Sequence, residues 1–540
     1  MKKTIIFAGR AGQGTDRTAA IFAKMAARSG KYCFVERDYQ SLIRGGHNFS
    51  TAVVSDEYVS SAEKKADVII AFDKDSAILH GPDLKESGKI VSFAETKSGN
   101  AILIDIAGFL AENNLSKNFG NNALLGSAAA FAELSRASCK EIIKEEFPSH
   151  EKDITDIFLK GYDLINQGDG RQSDPKKIIS GSEAVTAGAI DAEMKTAFYY
   201  PMTPATAVFT ELIAKKGDYR VIQMEDEIAV AMAALGASYA GDAPLIGSSG
   251  GGLSLMGEAV ALSGMAELPL VIYAAQRMGP STGVPTYTEQ GDLGSLLNLG
   301  SGEFPKFAIS PGDAEESYYA TIDAFYLARK YQLPSFIISD KHLADSVSSV
   351  SEFKVPAYAR EMFIDNETKG GYERYAITDT GISPRRIPGG EEVVRATSYE
   401  HNPQGYTTED PEVITAMNDK RIRKTESLKE ECSLMNPIKT YGEGETLIIG
   451  TGSTKGAIMD YISENNGYRF LQIIHLAPFP AIQVKAEIAK AKEIIFVENN
   501  ATGLLRKLTA SETGFAEGKS ILKYDGRPMS KEFIAAGIKK

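Results

Sequence analysis

Short apolar runs alternate with longer amphipathic stretches along most of this chain, a pattern typical of α/β layers. In the first part of the chain, the pattern predicts four strands and one helix: Thr4–Ala8, Asp16–Ser29 (the helix), Tyr32–Val35, Phe49–Val54 and Asp67–Phe72. A polar segment rich in turn formers follows at 166–175, and a new apolar strand begins at Ile178. We therefore predict an α/β domain over residues 1–172.

The same alternation continues, and it predicts two more α/β domains, at 173–350 and 441–540. The strands predicted there are Val221–Gln223, Pro244–Gly247, Leu270–Ala275, Ser335–Ser339, Leu447–Ile449, Phe470–His475 and Glu493–Glu498. Residues 351–440 are richer in proline and irregular in pattern, apart from one charged helix near 418–432, so they predict a connecting segment. The predicted fold class is α/β, with three doubly wound or Rossmann-like domains.

Composition narrows the class of protein. With 540 residues, the chain is too long for one core, and no apolar run approaches the roughly 20 residues of a membrane span. The apolar run at the amino terminus is too short for a signal peptide, so a cytoplasmic location is expected. A net charge of -12 argues against a nucleic-acid partner, which would require clustered Lys and Arg.

Metal-binding patterns are weak in this sequence. The three cysteines, Cys33, Cys139 and Cys432, are too few to supply four thiolates, so any iron–sulfur cluster must lie on another chain. The six histidines are dispersed and form no HxxxH pattern, so no metal site is expected on this chain. The only Gly-Asp-Gly triplet, 168–170, lies in the polar linker without paired asparagines and is interpreted as a turn.

A glycine-rich loop follows the first predicted strand and precedes a helix. Gly9, Gly12, Gln13 and Gly14 have the spacing GxxGxG, and their backbone N–H groups could hold a phosphate. Glu36 lies at the distance where a dinucleotide fold places its ribose acid, so a nicotinamide dehydrogenase is one alternative. Arg44 adds a cationic, glycine-flanked loop. This region is a candidate phosphate or coenzyme A loop.

Four loops in the second predicted domain carry polar groups at strand ends. They contain Thr203, Glu225, Ser249 and Arg277, and open α/β sheets bind ligands at this edge. Asp226, which follows Glu225, suits a helix start, as does Glu227, whereas Glu225 could point elsewhere. An arginine in a glycine-bounded loop suits a carboxylate ligand.

Three of these loops resemble, in order, motifs of the alpha subunits of 2-oxoacid:ferredoxin oxidoreductases that carry a gamma domain fused in front. Family members have Tyr-Pro-Ile-Thr-Pro-Ser-Thr, similar to 200–206 here, Gln-x-Glu-Asp-Glu-Ile-Ala, similar to 223–229, and Arg-x-Gly-Pro-Ser-Thr-Gly, similar to 277–283. Segments 285–286, 289–293, 497–503 and 524–528 also resemble the family. Segments 9–14 and 44–46 look like the gamma domain, which argues against the nicotinamide alternative.

The resemblance implies a gamma-like domain, a pyrimidine-binding domain of the thiamine fold and a transketolase C-terminal-like domain. It implies that Glu225 hydrogen-bonds the pyrimidine of thiamine diphosphate, with Ser249 and Gly250 nearby, and that Thr203 and Arg277 bind the 2-oxo oxygen and the carboxylate of the substrate. The remaining substrate-binding candidates lie in the same loops: Tyr200, Pro201, Thr206, Ser281 and Thr282.

The resemblance also implies a beta subunit that holds the diphosphate, Mg²⁺ and a [4Fe–4S] cluster, in a hetero-oligomer such as (alpha-beta)2. Electrons would pass to ferredoxin, and coenzyme A would take the acyl group as a thioester. The fusion favours 2-oxoglutarate as substrate, but Met202 and Ala205 replace the family's isoleucine and serine, so pyruvate or a branched-chain 2-oxoacid stays open. Two further alternatives are a non-catalytic scaffold for a catalytic partner and a thiamine decarboxylase without an iron–sulfur partner.

Overall fold

The computed structural model describes residues 1–39, 46–95, 99–165, 168–365, 371–390 and 392–539. The chain divides into two compact units, one of Met1–Ser180 with Asp345–Glu352 and Ser530–Lys540, and one of Gly181–Ala344 with Phe353–Met529. The predicted domain boundaries at 172, 350 and 440 stay predictions. No helix in the described ranges has the length and apolar character to cross a membrane.

The first unit is built around one eight-stranded sheet. Its strands are β1 (Lys2–Arg10), β2 (Tyr32–Tyr39), β3 (His47–Ser55), β4 (Ala66–Ala71), β5 (Leu84–Ser92), β6 (Ala101–Leu103), β7 (Lys177–Ser180) and β14 (Val347–Val350). Its helices are α1 (Thr15–Arg28), α2 (Lys74–His80), α3 (Ala107–Glu112), α4 (Asn121–Phe131), α5 (Arg136–Glu146), α6 (Glu151–Ile165) and α19 (Lys531–Lys539), with short 3₁₀ turns at Gly81–Asp83 and Lys117–Gly120.

This sheet is mixed, in the order β6-β5-β4-β1-β3-β2-β14-β7. Strands β1, β4, β5 and β6 run parallel, whereas β3, β2, β14 and β7 continue from β1 through antiparallel pairs. The alternation of strands and helices is as the sequence predicts, but the antiparallel half is a finding of the structure. Asp169 of the Gly-Asp-Gly triplet accepts a hydrogen bond from the backbone N–H of Arg136 at 2.8 Å, so its carboxylate holds the start of α5.

The second unit contains two sheets and their helices. Its strands are β8 (Thr196–Tyr199), β9 (Arg220–Gln223), β10 (Leu245–Ser248), β11 (Leu270–Gln276), β12 (Phe307–Ile309), β13 (Pro334–Asp340), β15 (Ile438–Tyr441), β16 (Thr446–Gly450), β17 (Tyr468–Ile473), β18 (His475–Ala477), β19 (Glu493–Glu498) and β20 (Lys519–Leu522). Its helices are α7 (Gly181–Asp191), α8 (Thr206–Lys215), α9 (Glu227–Tyr239), α10 (Gly250–Leu255), α11 (Gly257–Ala266), α12 (Leu293–Leu297), α13 (Ala314–Tyr331), α14 (Lys341–Asp345, whose last residue belongs to the first unit), α15 (Pro411–Leu434), α16 (Thr454–Glu464), α17 (Ala481–Ile488) and α18 (Leu504–Thr513), with a 3₁₀ turn at Ala357–Arg360.

The larger sheet has seven strands in the order β18-β12-β13-β11-β10-β8-β9. All neighbours are parallel except β12 and β18. The chain passes from β8 to its outer neighbour β9 and then returns to β10 on the opposite side of β8. The strand order therefore reverses between β8 and β10, and ligands bind open α/β sheets in the crevice at such a reversal.

The smaller sheet has five strands in the order β15-β17-β16-β19-β20, parallel except at β15. The single strand predicted at Phe470–His475 is interrupted at Ile474, so that β17 pairs in the smaller sheet and β18 in the larger one. Apolar residues of both sheets, among them Ile272, Phe336, Ile449 and Phe496, share one buried cluster. This core fixes the loops of the smaller sheet against the larger one.

Candidate functional site

The loop after β8 is held in shape by its own backbone and by Thr206. The backbone N–H of Met202 donates to Thr206 Oγ1 at 2.7 Å, and the N–H of Thr206 donates to the carbonyl of Met202 at 3.1 Å. This pair closes the turn before α8 and leaves Tyr200, Pro201 and Thr203 exposed. The loop therefore presents the Thr203 side chain outward on a fixed backbone.

Arg277 follows β11 and reaches the loop after β8. The residue is 8 % exposed, and its Nη1 donates to the carbonyl of Thr203 at 2.8 Å. Its Nε is buried and has no hydrogen-bond partner in the described part of the chain. Burial lowers the pKa of Arg277, and Asp292 partly opposes this effect. A buried cation with an unused donor suits an anionic ligand.

The rest of the Arg277 loop is exposed at Ser281 and Thr282 and depends on Gly283 for its shape. Gly283 has φ +52°, and a Cβ placed on it would lie 1.9 Å from the carbonyl oxygen of Met278. A side chain at this position would push the loop open. Gly283 therefore fixes how Ser281 and Thr282 are presented.

The three acids before and at the start of α9 have different surroundings. Asp226 caps the helix, because its Oδ1 accepts the N–H of Ala229 at 2.8 Å. Glu225 is exposed at the end of the edge strand β9, next to the strand that leads into the Thr203 loop. Glu227 is only 4 % exposed, and among the described residues its Oε1 has no hydrogen-bond partner. The expected role at the helix start accounts for Asp226 but not for the burial of Glu227.

Two serines and a glycine-rich turn lie at the end of β10, beside Glu227. Ser248 and Ser249 are fully buried, and neither hydroxyl has a hydrogen-bond partner within the described ranges. A Cβ built on Gly252 would lie 2.2 Å from Ser248 Oγ and 2.4 Å from Glu227 Oε1, so only glycine fits between them. Buried polar atoms are normally hydrogen-bonded, so this cluster is suited to a polar ligand or water.

Asp292 supplies a second charge near Arg277. Its backbone N–H donates to Gln276 Oε1 at 3.0 Å, which ties it to the residue before Arg277. A Cβ built on Gly250 would lie 3.5 Å from Asp292 Oδ2. This oxygen is buried and has no hydrogen-bond partner in the described structure. Burial, followed by the charge of Glu289, raises the pKa of Asp292, and Arg277 opposes the rise. Arg277 is thus a buried cation and Asp292 a half-buried acid with one buried oxygen, both at the edge of the sheet.

Loops of the smaller sheet support the segment that carries Asp292. The N–H of Gln290 donates to the carbonyl of Asn499 at 2.8 Å, and the N–H of Thr288 donates to that of Gly526 at 3.1 Å. Asp340, at the end of β13, accepts hydrogen bonds from Thr288 Oγ1 and Gln290 Nε2, both at 3.2 Å. The segments 497–503 and 524–528 therefore brace the site.

The structure brings some of the predicted site residues together. Thr203 and Arg277 are in direct contact, and Gly250 lies beside Asp292, which follows the Arg277 loop. Glu225 lies at the same sheet edge but at the end of the outer strand β9. Sequence reasoning did not assign site roles to Glu227, Asp292 or Asp340. The available signal was their position at an element boundary: Glu227 begins α9, Asp292 precedes α12 and Asp340 ends β13.

The glycine loop of the first unit follows β1. Gln13 closes this loop, since its Oε1 accepts the N–H of Arg10 at 2.7 Å. Its carbonyl accepts from Asn121 Nδ2 at 2.8 Å. No side chain caps α1 at Gly14 among the described residues. The predicted candidate Arg44 lies outside the described residues. Gly12 lies within the loop, whereas Gly9, predicted to belong to it, is part of β1 and pairs with Asn48 of β3.

Two family models match the chain. A model for pyruvate flavodoxin/ferredoxin oxidoreductase, thiamine diphosphate-binding, matches residues 187–420, which include all four strand-end loops. A model for pyruvate ferredoxin/flavodoxin oxidoreductase matches residues 4–164. The fold and the matched residues define the class as a thiamine diphosphate-binding 2-oxoacid oxidoreductase.

Similar proteins define the kind of oxidoreductase more closely. The alpha subunit of a 2-oxoacid:ferredoxin oxidoreductase from Sulfolobus sp. is 30 % identical over 100 % of this chain and 97 % of its own length. The 2-oxoglutarate synthase subunit KorA of Methanocaldococcus jannaschii is 30 % identical over 60 % of this chain and 88 % of its own length. A 2-oxoglutarate:ferredoxin oxidoreductase of Magnetococcus marinus, solved with 2-oxoglutarate, coenzyme A and succinyl-CoA, has a TM-score of 0.91 at 27 % identity, covering 100 % of this chain and 99 % of that one.

The chain belongs to the alpha subunits of the 2-oxoacid:ferredoxin oxidoreductases. It is a subunit of a multi-subunit oxidoreductase and carries a thiamine diphosphate-binding domain. The predicted family and the α/β fold class are confirmed.

Proposed function

We propose that this chain, together with a beta subunit, oxidises 2-oxoglutarate with coenzyme A to succinyl-CoA, CO₂ and reduced ferredoxin. The observation that carries the proposal is the buried Arg277, which holds the Thr203 loop and keeps an unused donor at the strand reversal. The names of the relatives from Methanocaldococcus jannaschii and Magnetococcus marinus support 2-oxoglutarate. The broader 2-oxoacid name of the Sulfolobus relative favours a second candidate, a wider substrate range that includes pyruvate.

Arg277 and the Thr203 loop would bind the reacting end of the substrate. The guanidinium pairs with the 1-carboxylate, and the Thr203 hydroxyl donates to the 2-oxo oxygen. Ser281, Thr282, Tyr200, Pro201 and Thr206 shape the walls of the site around these two groups. Because Arg277 is already desolvated and anchored, little reorganisation is needed when the carboxylate arrives.

Glu225, Ser249 and Gly250 would hold thiamine diphosphate, which supplies the carbon nucleophile and the electron sink for decarboxylation. The buried and unpartnered hydroxyl of Ser249 fits a polar ligand. Glu225 would accept a hydrogen bond from a protonated ring nitrogen of the pyrimidine, because its exposed carboxylate is not used in capping α9.

The beta subunit would cover the outer edge of the larger sheet. Large apolar side chains on α8, β9, α9 and α10 are 38–54 % exposed: Ile213, Ile222, Ile228, Met232 and Leu255. Apolar surface at an open strand edge is typical of a protein interface. We propose that the beta subunit brings the diphosphate site, Mg²⁺ and a [4Fe–4S] cluster, since three separate buried cysteines cannot hold such a cluster here. The assembly would be (alpha-beta)2.

The loop with Gly9, Gly12, Gln13 and Gly14 would contact the phosphates of coenzyme A, with Arg44 as a further candidate. The uncapped start of α1 offers backbone N–H groups to an anion. This part of the proposal is separate from the binding of the 2-oxoacid, because the loop belongs to the first unit.

Anoxic purification of the native protein tests the proposal. We expect a second, cysteine-containing chain to copurify with iron, sulfide and thiamine diphosphate, and the complex to reduce ferredoxin when given 2-oxoglutarate and coenzyme A. Equal rates with pyruvate would favour the wider substrate range. A chain that purifies alone, or with a partner that lacks iron and thiamine diphosphate, would contradict the ferredoxin-linked reaction.

A further inference from the structure

Asp292 stands directly before α12, where an aspartate usually caps the helix with its side chain. Here the side chain makes no capping hydrogen bond. Its Oδ2 is instead buried, faces Gly250 and has no partner within the described ranges. The carboxylate therefore does not cap the helix and is directed into the site instead.

The backbone places this carboxylate beside Arg277. Asp292 donates its N–H to Gln276, and Gln276 in turn donates to the carbonyl of Ser339 at 3.4 Å. Met278 and Tyr287 are also joined, by an N–H to carbonyl bond of 3.0 Å, which closes the loop that separates Arg277 from Asp292. Neither end of the loop can therefore move far from the other.

Neither Arg277 Nε nor Asp292 Oδ2 has a hydrogen-bond partner in the described structure, so these two atoms form no direct ion pair. The two charges nevertheless act on each other. Burial lowers the pKa of Arg277, and the negative charge of Asp292 opposes this change. Burial raises the pKa of Asp292, and the positive charge of Arg277 opposes that change. Glu289 is the other acid that faces Asp292, and its Oε2 is engaged by the N–H of Gly279 at 3.0 Å.

We propose that Asp292 is a positioning residue that weakens the hold of Arg277 on the carboxylate of the 2-oxoacid. This inference rests on the proposed role of Arg277. A fixed negative charge beside the guanidinium stabilises the buried cation when the substrate is absent. It also repels the incoming anion, so that the substrate and its carboxylate-bearing analogues bind less tightly than Arg277 alone would allow.

The test compares Asp292→Asn with the wild type in the complete, anaerobically purified complex. Asparagine keeps the shape and removes the charge, so we expect the KM for the 2-oxoacid to fall about 3- to 10-fold. The inhibition constant of oxamate, an unreactive anion with the same carboxyl end, should fall by the same factor. That of pyruvamide, its uncharged counterpart, should not change. Asp410→Asn, an exposed helix cap in the same unit, controls for the loss of one negative charge.

The pH dependence gives a second readout. In the wild type, ionisation of Asp292 as the pH rises through its raised pKa should increase the inhibition constant of oxamate. This dependence should be absent in Asp292→Asn. A purely structural role would instead raise both inhibition constants, and that result would overturn the inference. If Arg277→Gln and Asp292→Asn both leave the KM unchanged, the proposed role of Arg277 fails. If Arg277→Gln raises the KM but Asp292→Asn leaves it unchanged, only the inference about Asp292 fails.

Discussion

Two charge clusters of the second unit differ in how completely their atoms are paired. Glu267 is 2 % exposed and accepts from Lys420 Nζ through Oε1 and from Lys424 Nζ through Oε2, each at 2.5 Å. Arg374 donates to the carbonyl of Glu267 at 2.6 Å. In the cluster of Arg277 and Asp292, by contrast, each residue has a buried atom without a partner in the described residues.

The difference indicates different uses. Burial alone would raise the pKa of Glu267, but Lys424, Lys420 and Arg374 together lower it below its usual range. These contacts join α15 to the end of α11, so this cluster stabilises the packing of the connecting segment. An incompletely paired cluster costs stability, and such sites are typical of ligand binding. We call the group of Arg277 and Asp292 the open cluster, and the group of Glu267, Lys420, Lys424 and Arg374 the paired cluster. We expect variants of the open cluster to change activity and variants of the paired cluster to change stability.

The largest expected effect is at Glu225. Glu225→Gln should lower turnover of the assembled complex by about 10²- to 10⁴-fold, because the amide cannot hold the pyrimidine nitrogen as the carboxylate does. Its thermal transition should stay unchanged, since the side chain is exposed. The measurement is 2-oxoacid-dependent reduction of a viologen dye. Asp226→Asn is the control, because asparagine also caps helices well. Nearly intact turnover in Glu225→Gln would favour the scaffold alternative.

The next prediction sets the two clusters directly against each other. Arg277→Gln should raise the KM for the 2-oxoacid by about 10- to 100-fold, because the charge-assisted pairing with the carboxylate is lost. Glu267→Gln should leave the KM unchanged but lower the midpoint of thermal unfolding by roughly 4–7 °C, since two buried lysines lose their counterion.

The pH range of this second effect follows from the lowered pKa of Glu267. Its contribution to stability is complete above the pKa of an unfolded glutamate, about 4.3, and is lost as the pH falls through the folded value. The comparison of thermal midpoints therefore belongs at neutral pH. A rise in KM for Glu267→Gln equal to that of Arg277→Gln would show that the two clusters are not functionally distinct.

The strand-end loops of the site could be predicted from the sequence, because each follows a short apolar strand and carries a recognisable motif. The relation of Asp292 to Arg277 could not, because it depends on a closed loop whose ends meet at Gln276. The sequence also did not predict the antiparallel half of the first sheet or the interruption of the strand at Ile474. Both depend on which strands become neighbours, which apolar periodicity does not encode.

The smallest expected effect is at Gly283, and it tests whether the open cluster needs a rigid loop. Gly283→Ala should raise the KM about 3- to 10-fold, because a methyl group at φ +52° would meet the carbonyl of Met278 and move Ser281 and Thr282. Gly279→Ala is the matched control in the same loop, since a Cβ on Gly279 has no atom within 4 Å among the described residues. Steady-state kinetics of both variants give the measurement. If Gly279→Ala raises the KM equally, crowding of the substrate rather than loop geometry is responsible, and the open cluster does not depend on the shape that Gly283 imposes.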